Sequence, residues 1–405
     1  MEKRLISYRC NIITPTKEGR LLTLEDHIIN VQDGKIQSIV PYAEHQGEWN
    51  DYRDCIALPG FIDLHAHISQ FHVKGAHEPA LLPWLQKHVF PAEKHSKNPD
   101  YARNISSLFF AETIRKATSF SVIYTAPFRE AADAAFEVAS QMEIKAKIGM
   151  SLMDTNSPDY LMHSKDYALS NSIELDEKWT EPMLGHIFSP RFALSCSSEL
   201  MHEIGKYAQA KGSFIQTHLS ENPEEIRQVI KAFGQDSYTE VYRNLGILTN
   251  KTILGHAIHL SDDELDTIKL SGAAIAHCPD SNFFLKSGVF PLSRIKEKGI
   301  PFALGSDVAA GTSLFMPYHA KMMNYRQDNT LVSAQEMLFR ITLRSAEILH
   351  LDTRIGSIES GKDADISFFK LPPELDFGEN ALSPFFFASD IFKLKQFLID
   401  GKERL

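Results

Sequence analysis

Cysteine is scarce in this sequence. Only four occur among 405 residues, at Cys10, Cys55, Cys196 and Cys278, and no two of them form a CxxC pair. This usage excludes a disulfide scaffold and predicts reduced thiols, as in a cytoplasmic protein. No apolar run approaches the roughly 18 residues that a transmembrane helix needs, and the first residues lack the apolar centre of a signal peptide. We therefore expect a cytoplasmic location and no membrane partner.

A basic block is absent as well. The chain carries 42 Lys and Arg against 52 Asp and Glu, a formal net charge of -10. This balance opposes binding to a polyanion. The HxE and PCxxC signature of the small zinc deaminases that act on nucleic acids is also missing. The expected partner is a small molecule rather than a nucleic acid.

Short apolar segments alternate with helical patterns through most of the chain, which has 43% hydrophobic and 23% charged residues, a globular composition. Such segments are typical of buried parallel strands. They span 61–65, 120–125, 146–152, 184–194, 213–218, 251–256, 273–277 and 302–306. The helical patterns span 99–118, 129–143, 198–211, 222–245, 261–271, 291–298 and 333–350. This alternation predicts an α/β fold, a (β/α)8 TIM-type barrel over residues 59–353. The alternative, a doubly wound sheet, lacks a Gly-rich phosphate turn after the first strand.

The two ends of the chain have a different pattern. Residues 5–15 and 27–40 are predicted strands, and Asp33-Gly34 within the second is a hairpin turn signal. The last 52 residues return to strand-like segments. We predict that residues 1–58 and 354–405 form one small, β-sandwich-like domain that is split in sequence and joined in space.

The first barrel strand ends in an HxH pair, His65 and His67. Residues i and i+2 of a strand share a face, so both imidazoles can reach one ion at ~2.0–2.1 Å. Alone the motif is weak, since two unrelated polar residues at a strand end would look the same. However, the fifth, sixth and eighth strands end at or next to His218, His256 and Asp307. Because the carboxyl ends of barrel strands converge, these five residues are predicted to surround one point.

The residue types narrow the choice of ion. Three neutral imidazoles and a carboxylate, without a thiolate, suit Zn²⁺ or Fe²⁺ and not Mg²⁺ or Ca²⁺. A position left for solvent makes such a site catalytic, with the pKa of a bound water lowered toward ~7. Glu221 could carry a proton there, or could be an anion at the N-terminus of the following helix. Spacing leaves these two alternatives open, as it does the roles of Asp307 (ligand or base) and His256 (ligand or holder of water).

Several motifs together resemble a known family. PGFIDLHAH, the strand-end His218 and His256, and LGSDVAAGTS resemble the metal signature of the amidohydrolase superfamily. More narrowly, seven segments resemble the barrel-type guanine deaminases. They are HAHISQ, PWLQKHVFPAEKH, SPRFALSC, THLSEN, LGHAIHLSDDEL, AHCPDSNFFLKSG and LGSDVAAGTS. The resemblance covers nearly the whole chain. It implies hydrolysis of guanine to xanthine and ammonia by a zinc-activated hydroxide, one zinc per chain (Fe²⁺ being possible), and a homodimer.

The resemblance also implies residue roles. The metal ligands would be His65, His67, His218 and Asp307. The catalytic residues would be Glu221 as proton shuttle, His256 and Asp307. The substrate-binding residues would be Gln70, Arg191, Phe192, His218, His256 and Trp84. SPRFALS contains no lysine that could bridge a second metal, so a mononuclear site is expected.

Purely structural roles stay open for several of these residues. Arg191 could be a surface salt-bridge partner, Phe192 a core residue, and Trp84 and Phe90 could pack loops rather than cover a flat ring.

The ligands alone also fit a deaminase of 8-oxoguanine, cytosine or adenosine derivatives, or a triazine chlorohydrolase. An inactive scaffold would be expected to lack metal ligands, and none is missing here.

Overall fold

The computed structural model describes residues 5–78, 80–327 and 330–404. Within them lie sixteen strands and fifteen α-helices. The strands are β1 (Ile6–Pro15), β2 (Leu21–Gln32), β3 (Lys35–Pro41), β4 (Asn50–Pro59), β5 (Phe61–His67), β6 (Thr118–Thr125), β7 (Lys145–Leu152), β8 (Leu184–His186), β9 (Ser189–Pro190), β10 (Ile215–Leu219), β11 (Thr252–His256), β12 (Ala274–His277), β13 (Phe302–Leu304), β14 (Ile366–Lys370), β15 (Lys393–Ile399) and β16 (Lys402–Glu403). The helices are α1 (Leu81–Trp84), α2 (Phe90–Lys94), α3 (Pro99–Arg115), α4 (Arg129–Gln141), α5 (Lys165–Lys178), α6 (Ser198–Lys211), α7 (Pro223–Phe233), α8 (Tyr238–Asn244), α9 (Asp262–Ser271), α10 (Pro279–Phe284), α11 (Leu292–Lys298), α12 (Met316–Tyr325), α13 (Ala334–Arg340), α14 (Leu343–Ile348) and α15 (Glu379–Phe387). None of these helices is long and apolar enough to cross a bilayer.

Strands β5 to β13 form a closed parallel barrel. They pair in two runs, β5-β6-β7-β8, with β9 also on β7, and β10-β11-β12-β13. One seam is closed where the Gln216 amide donates to the Phe188 carbonyl at 2.8 Å, and the other where the Asp307 amide donates to the His65 carbonyl at 2.7 Å. The predicted (β/α)8 barrel is confirmed.

The barrel differs from the prediction in several details, among them the division of the predicted helix 333–350 into α13 and α14. The fourth strand is not continuous over 184–194 but is split into β8 and β9, followed by a turn that the Ser195 hydroxyl closes by donating to the Phe192 carbonyl at 3.0 Å. The pattern 222–245 is two helices, since Gly234 has φ 61° and ends α7. Helix α5 is missing from the prediction because only Ala168, Ser172 and Leu175 of its fourteen residues are buried, which makes its apolar stripe faint.

The two ends of the chain share one sheet. Its strand order is β16-β15-β14-β4-β1-β2-β3, with β4 antiparallel to β14 so that Pro59 faces Ile366. The sheet curls until the Ala364 amide donates to the Gly34 carbonyl at 2.8 Å, beside the predicted hairpin turn. A separate apolar cluster lies within this sheet. The predicted pairing of the terminal segments is therefore correct, whereas the bounds 1–58, 59–353 and 354–405 stay a proposal that this sheet supports.

A buried ion cluster joins the barrel to this sheet. The Lys145 ammonium on β7 lies 3.1 Å from Asp363, 2.9 Å from Asp365 and 2.7 Å from Asp400, and its side chain is only 4% exposed. Burial lowers the pKa of Lys145, but the three carboxylates outweigh burial and hold the pKa above its usual value. The cluster therefore connects the barrel to the sheet through charged groups. Its stability should depend on the ammonium of Lys145, which lies at its centre.

Replacing Lys145 by methionine is expected to reduce the free energy of unfolding by ~3–5 kcal/mol, since buried Asp365 would lose the ammonium that faces it. Urea unfolding followed by circular dichroism measures the change. The matched control is Lys178→Met, which breaks an exposed ion pair with Asp133 and should cost at most ~1 kcal/mol. Equal losses in the two variants would contradict the assignment.

Candidate active site

Five predicted residues meet at the carboxyl end of the barrel. His65 and His67 end β5, His218 lies in β10, His256 ends β11, and Asp307 follows β13. The Nε2 atom of His67 is 3.2 Å from that of His65 and 3.3 Å from that of His218. Oδ1 of Asp307 is 3.4 Å from Nε2 of His65 and 3.2 Å from Nε2 of His67. The barrel therefore brings together the side chains that the sequence places at separate strand ends.

These donor atoms fit a single metal ion. Nδ1 of His218 donates to the Arg191 carbonyl at 2.6 Å, so the lone pair of its Nε2 faces the cluster. Ligands at ~2.0–2.1 Å from a tetrahedral ion are about 3.3 Å apart, which the spacings within the cluster match. His256 is also within reach, because ligand atoms of His65, His218, His256 and Asp307 lie within 4.8 Å of one another. The site can hold a metal, and more than one ligand set is geometrically open.

The electrostatics of the cluster favour a cation. Burial lowers the pKa of His67 to about 3 and the pKa of His218 well below its usual value, with neighbouring imidazoles adding to the effect. Burial alone would raise the pKa of Asp307, but the hydrogen bonds from His65 and His67 outweigh it and hold the pKa well below the ordinary range. Neutral imidazoles around an ionised carboxylate are a donor set for Zn²⁺ or Fe²⁺.

Close backbone packing fixes the direction of these side chains. Asp63, a residue not singled out from the sequence, accepts the amides of His65 at 3.1 Å and Ser306 at 2.8 Å and so joins the first strand to the eighth. A Cβ on Gly305 would lie 2.5 Å from Cβ of His65, so glycine is needed there. His256 has a left-handed backbone with φ 66°, a strained conformation of the kind that clusters at functional sites.

Glu221 reaches the same centre from the segment after β10. Its Oε2 is 3.4 Å from Nε2 of His256, and its Oε1 accepts the Ser287 hydroxyl at 2.8 Å. Burial raises the pKa of Glu221, and the charge of His256 opposes that shift. The N-terminus of α7 is capped by Asn222 together with Glu225, so the helix does not need Glu221 as its terminal charge. A buried carboxyl with a raised pKa is suited to accept and return a proton.

A narrow pocket opens beside the cluster, and it contains nearly all of the predicted site residues. Its lining is His67, Gln70, Leu81, Trp84, Leu85, Arg191, Phe192, His218, Glu221, Glu225, His256, Leu285 and Asp307. His65 contributes to the cluster but not to the pocket wall. Phe192 and Trp84 are 8% and 3% exposed, and the Trp84 indole donates to the Ala76 carbonyl at 2.7 Å. The apolar part of the wall could cover a flat ring.

Arg191 is a buried residue of this wall, not a surface partner. Its Nη1 donates to both carboxylate oxygens of Glu93, at 2.9 and 2.7 Å. Gln70 donates to the same carboxylate at 3.0 Å. Nε and Nη2 of Arg191 make no hydrogen bond with the described residues, so these donors remain for a ligand. Phe90 packs 5.4 Å from the guanidinium carbon.

Three polar residues with direct roles in this geometry were missed from the sequence. Glu93 orients Arg191 and Gln70, Ser287 holds Glu221, and Asn282 accepts Nδ1 of His256 at 2.9 Å. Glu93 is the sole acid in PWLQKHVFPAEKH, a signal that could have drawn attention to it. Ser287 and Asn282 lie in the AHCPDSNFFLKSG motif but carry no comparable signal.

The sequence matches the model of the amidohydrolase family over residues 56–404. The chain therefore belongs to the amidohydrolase family and is a metal-dependent type of hydrolase with a cluster that could hold the metal.

Its relatives include guanine deaminases. The chain is 34% identical to guanine deaminase of Dictyostelium discoideum over 327 residues, which are 76% of this chain and 71% of the relative. It is 32% identical to guanine deaminase of Escherichia coli (strain K12) over 365 residues, 84% of this chain and 80% of the relative. A crystal structure of guanine deaminase from C. acetobutylicum, with guanine bound in its active site, superposes with a TM-score of 0.93 at 30% identity, covering 99% of this chain and 100% of that one. The resemblance seen in the motifs is confirmed.

Proposed function

We propose that this enzyme hydrolyses guanine to xanthine and ammonia. The observation that carries the proposal is one pocket that contains a His/Asp metal cluster, the buried Glu221 carboxyl and the free donors of Arg191. The guanine deaminases to which the chain is similar support the choice of substrate. A place in purine breakdown or salvage follows from this reaction.

We assign one Zn²⁺ per chain to Nε2 of His65, His67 and His218 and to Oδ1 of Asp307. The distances from His67 to the other three atoms and from His65 to Asp307 are 3.2–3.4 Å, as in a tetrahedral ligand set. Fe²⁺ suits the same donors. When bound, the ion would lower the pKa of a water ligand to about 7 and so supply a nucleophile at neutral pH. His256 is then left to orient water and substrate, with Asn282 holding its Nδ1.

Glu221 carries the protons in this reaction. Its carboxylate takes a proton from the attacking water as the oxygen bonds to C2 of guanine, and it delivers that proton to a ring nitrogen. The second proton follows the same route to the departing amine, the C2–N bond breaks and ammonia leaves. Asp307 and His256, whose Oδ2 and Nε2 are 3.7 Å apart, hold the water on the side of the pocket that faces Glu221. The raised pKa of Glu221 lets one group serve as both base and acid.

The pocket wall that contains Arg191 and Gln70 orients the substrate. Arg191 offers only donors, which suit the C6 carbonyl of guanine, and Gln70 offers an amide beside it. Phe192 and Trp84 enclose the ring. Glu93 holds both polar side chains in place through a buried, charge-assisted contact. The same wall is what distinguishes guanine from the alternative heterocycles.

Metal analysis is expected to find about one zinc per chain, and chelation should abolish activity while the far-ultraviolet circular dichroism spectrum is retained. The large apolar core does not depend on the ion, unlike that of small zinc domains in which metal binding drives folding. Restoring Zn²⁺ should restore turnover. Two tightly held ions per chain would refute the mononuclear assignment.

Replacing Glu93 by glutamine is expected to lower kcat/KM for guanine by ~10–100-fold, because a charge-assisted hydrogen bond is worth ~1.5–3 kcal/mol. The effect should appear in both KM and kcat, since Arg191 and Gln70 lose their common anchor, while zinc content is unchanged. Glu137→Gln, at an exposed glutamate on α4, is the control. Wild-type kinetics in the Glu93 variant would exclude the positioning role.

We further propose a cytoplasmic location and a homodimer. All four cysteines lie in the described ranges and are buried and unpaired, which fits a reducing compartment. The dimer rests on the family resemblance alone, and light scattering of the purified chain tests it.

A further inference from the structure

A second cleft lies at the opposite end of the barrel from the metal cluster. It has a volume of about 600 Å³ and is bordered by the residues that precede β10 and β11 and by the ends of α5 and α6. Its walls combine aromatic side chains (Trp179, Tyr207 and Phe214) with three lysines. None of its lining residues belongs to the proposed active site.

Lys147 on β7 is a buried lysine that lines this cleft. Lys147 is only 9% exposed, yet its ammonium makes no hydrogen bond or ion pair with the described residues. Its Nζ lies 5.1 Å from the centroid of the Phe214 ring. Lys145, two residues earlier, has three carboxylates around it. The acid that acts on this ammonium is Asp176, which does not form an ion pair with it. Burial lowers the pKa of Lys147 to about 8; Asp176 opposes this shift and Lys251 adds to it.

Other groups of the cleft reinforce the positive character around Lys147. The Lys251 ammonium lies 5.5 Å from the centroid of the same Phe214 ring and donates to the Gly212 carbonyl. Lys211 and His350 also line the cleft.

Two acidic side chains, Asp176 and Glu177, also line the cleft. Asp176 accepts the Ser213 hydroxyl at 2.8 Å and lies 3.4 Å from Nδ1 of His186, and Glu177 lines the cleft but makes no ion pair among the described residues. Nε2 of His186 is buried and finds no hydrogen-bond partner in the described part of the chain. Because the His186 side chain is fully buried, the groups that the cleft offers to a ligand are the ammonium groups of Lys147 and Lys251.

We propose that this cleft binds a phosphate group, with Lys147 and Lys251 as its main counter-charges. A phosphate carries about −1.5 to −2 charges at pH 7, which two ammonium groups balance, and lysine is a common phosphate ligand. The volume leaves room for more than the phosphate itself, and the aromatic walls could receive a base.

Binding of inorganic phosphate to the whole enzyme tests the proposal, by calorimetry and by thermal shift, against sodium chloride at equal ionic strength to remove general screening. Saturable binding is expected. Lys147→Met should weaken it at least tenfold, and Lys251→Met should weaken it as well. Lys147→Met is expected to fold, since the Lys147 ammonium makes no hydrogen bond or ion pair with the described residues that the substitution would break. Lys178→Met, at an exposed lysine, should bind like the wild type.

Two further ligands identify the source of the phosphate. Guanosine monophosphate binding at least tenfold tighter than phosphate, with the same dependence on Lys147, would support a nucleotide site; equal affinities would support free phosphate, and guanosine should not bind this cleft in either case. Guanine turnover of Lys147→Met should stay near the wild-type value, which separates this proposal from the proposed reaction. Phosphate binding no stronger than chloride, or binding unchanged in both lysine variants, would overturn it.

Discussion

Replacing Glu221 by glutamine is expected to lower kcat for guanine by at least ~10²–10⁴-fold, the range typical of a general acid–base group. The amide keeps the shape of the side chain and can still accept the Ser287 hydroxyl. It cannot take a proton from water, and the proposed reaction needs that group for two successive transfers. The loss should therefore lie at or beyond the upper end of the range, with KM changed much less than kcat.

Two measurements separate this effect from damage to the site. Zinc content should equal that of the wild type, because Glu221 is not in the proposed ligand set. Glu224→Gln, in the first turn of α7 and with its side chain 44% exposed, is the matched control and should retain full activity. A Glu221 variant that kept more than about a tenth of wild-type turnover would eliminate the proton-shuttle assignment, since general acid–base catalysis is worth more than that.

Adenine is expected to be a worse substrate than guanine by ~10⁴-fold or more in kcat/KM. Adenine presents an amine at C6 where guanine presents a carbonyl, and it has no substituent at C2. The guanidinium of Arg191 cannot accept a hydrogen bond, so the adenine amine would leave its donors unpaired in a buried pocket. Sites built to pair with a particular polar group reject analogues without it by such factors.

Arg191→Met should accordingly reduce guanine kcat/KM by a comparable factor while zinc is retained. Arg191→Lys is the conservative comparison, and it should recover little, because an ammonium lacks the planar fork that can hold Glu93 and substrate together. The panel should include cytosine and 8-oxoguanine. If either of them, or adenine, exceeded guanine in kcat/KM, the substrate would be wrong although the metal chemistry could stand.

The motifs at the strand ends could be interpreted from the sequence because each of them depends only on neighbouring residues of one strand. A short apolar segment followed by His or Asp specifies both a buried strand and the residue at its carboxyl end, and the barrel then brings those ends together. His65, His67, His218, His256 and Asp307 could therefore be grouped from sequence, and they do meet. Their division into ligands and helpers could not be derived in this way, since the choice depends on differences of a few tenths of an ångström between side chains.

The sequence by itself determined the barrel, the pairing of the two terminal segments and the convergence of the metal-binding side chains, because these follow from periodicity and from the common direction of parallel strands. Only the tertiary structure decided which residues support the site. Glu93 meets Arg191 across 98 residues and Ser287 meets Glu221 across 66, contacts that depend on the paths of long loops rather than on any local pattern. It also decided that Lys147 is buried without an ion pair to the described residues while Lys145 is surrounded by carboxylates, although the two stand on one strand and look alike in sequence.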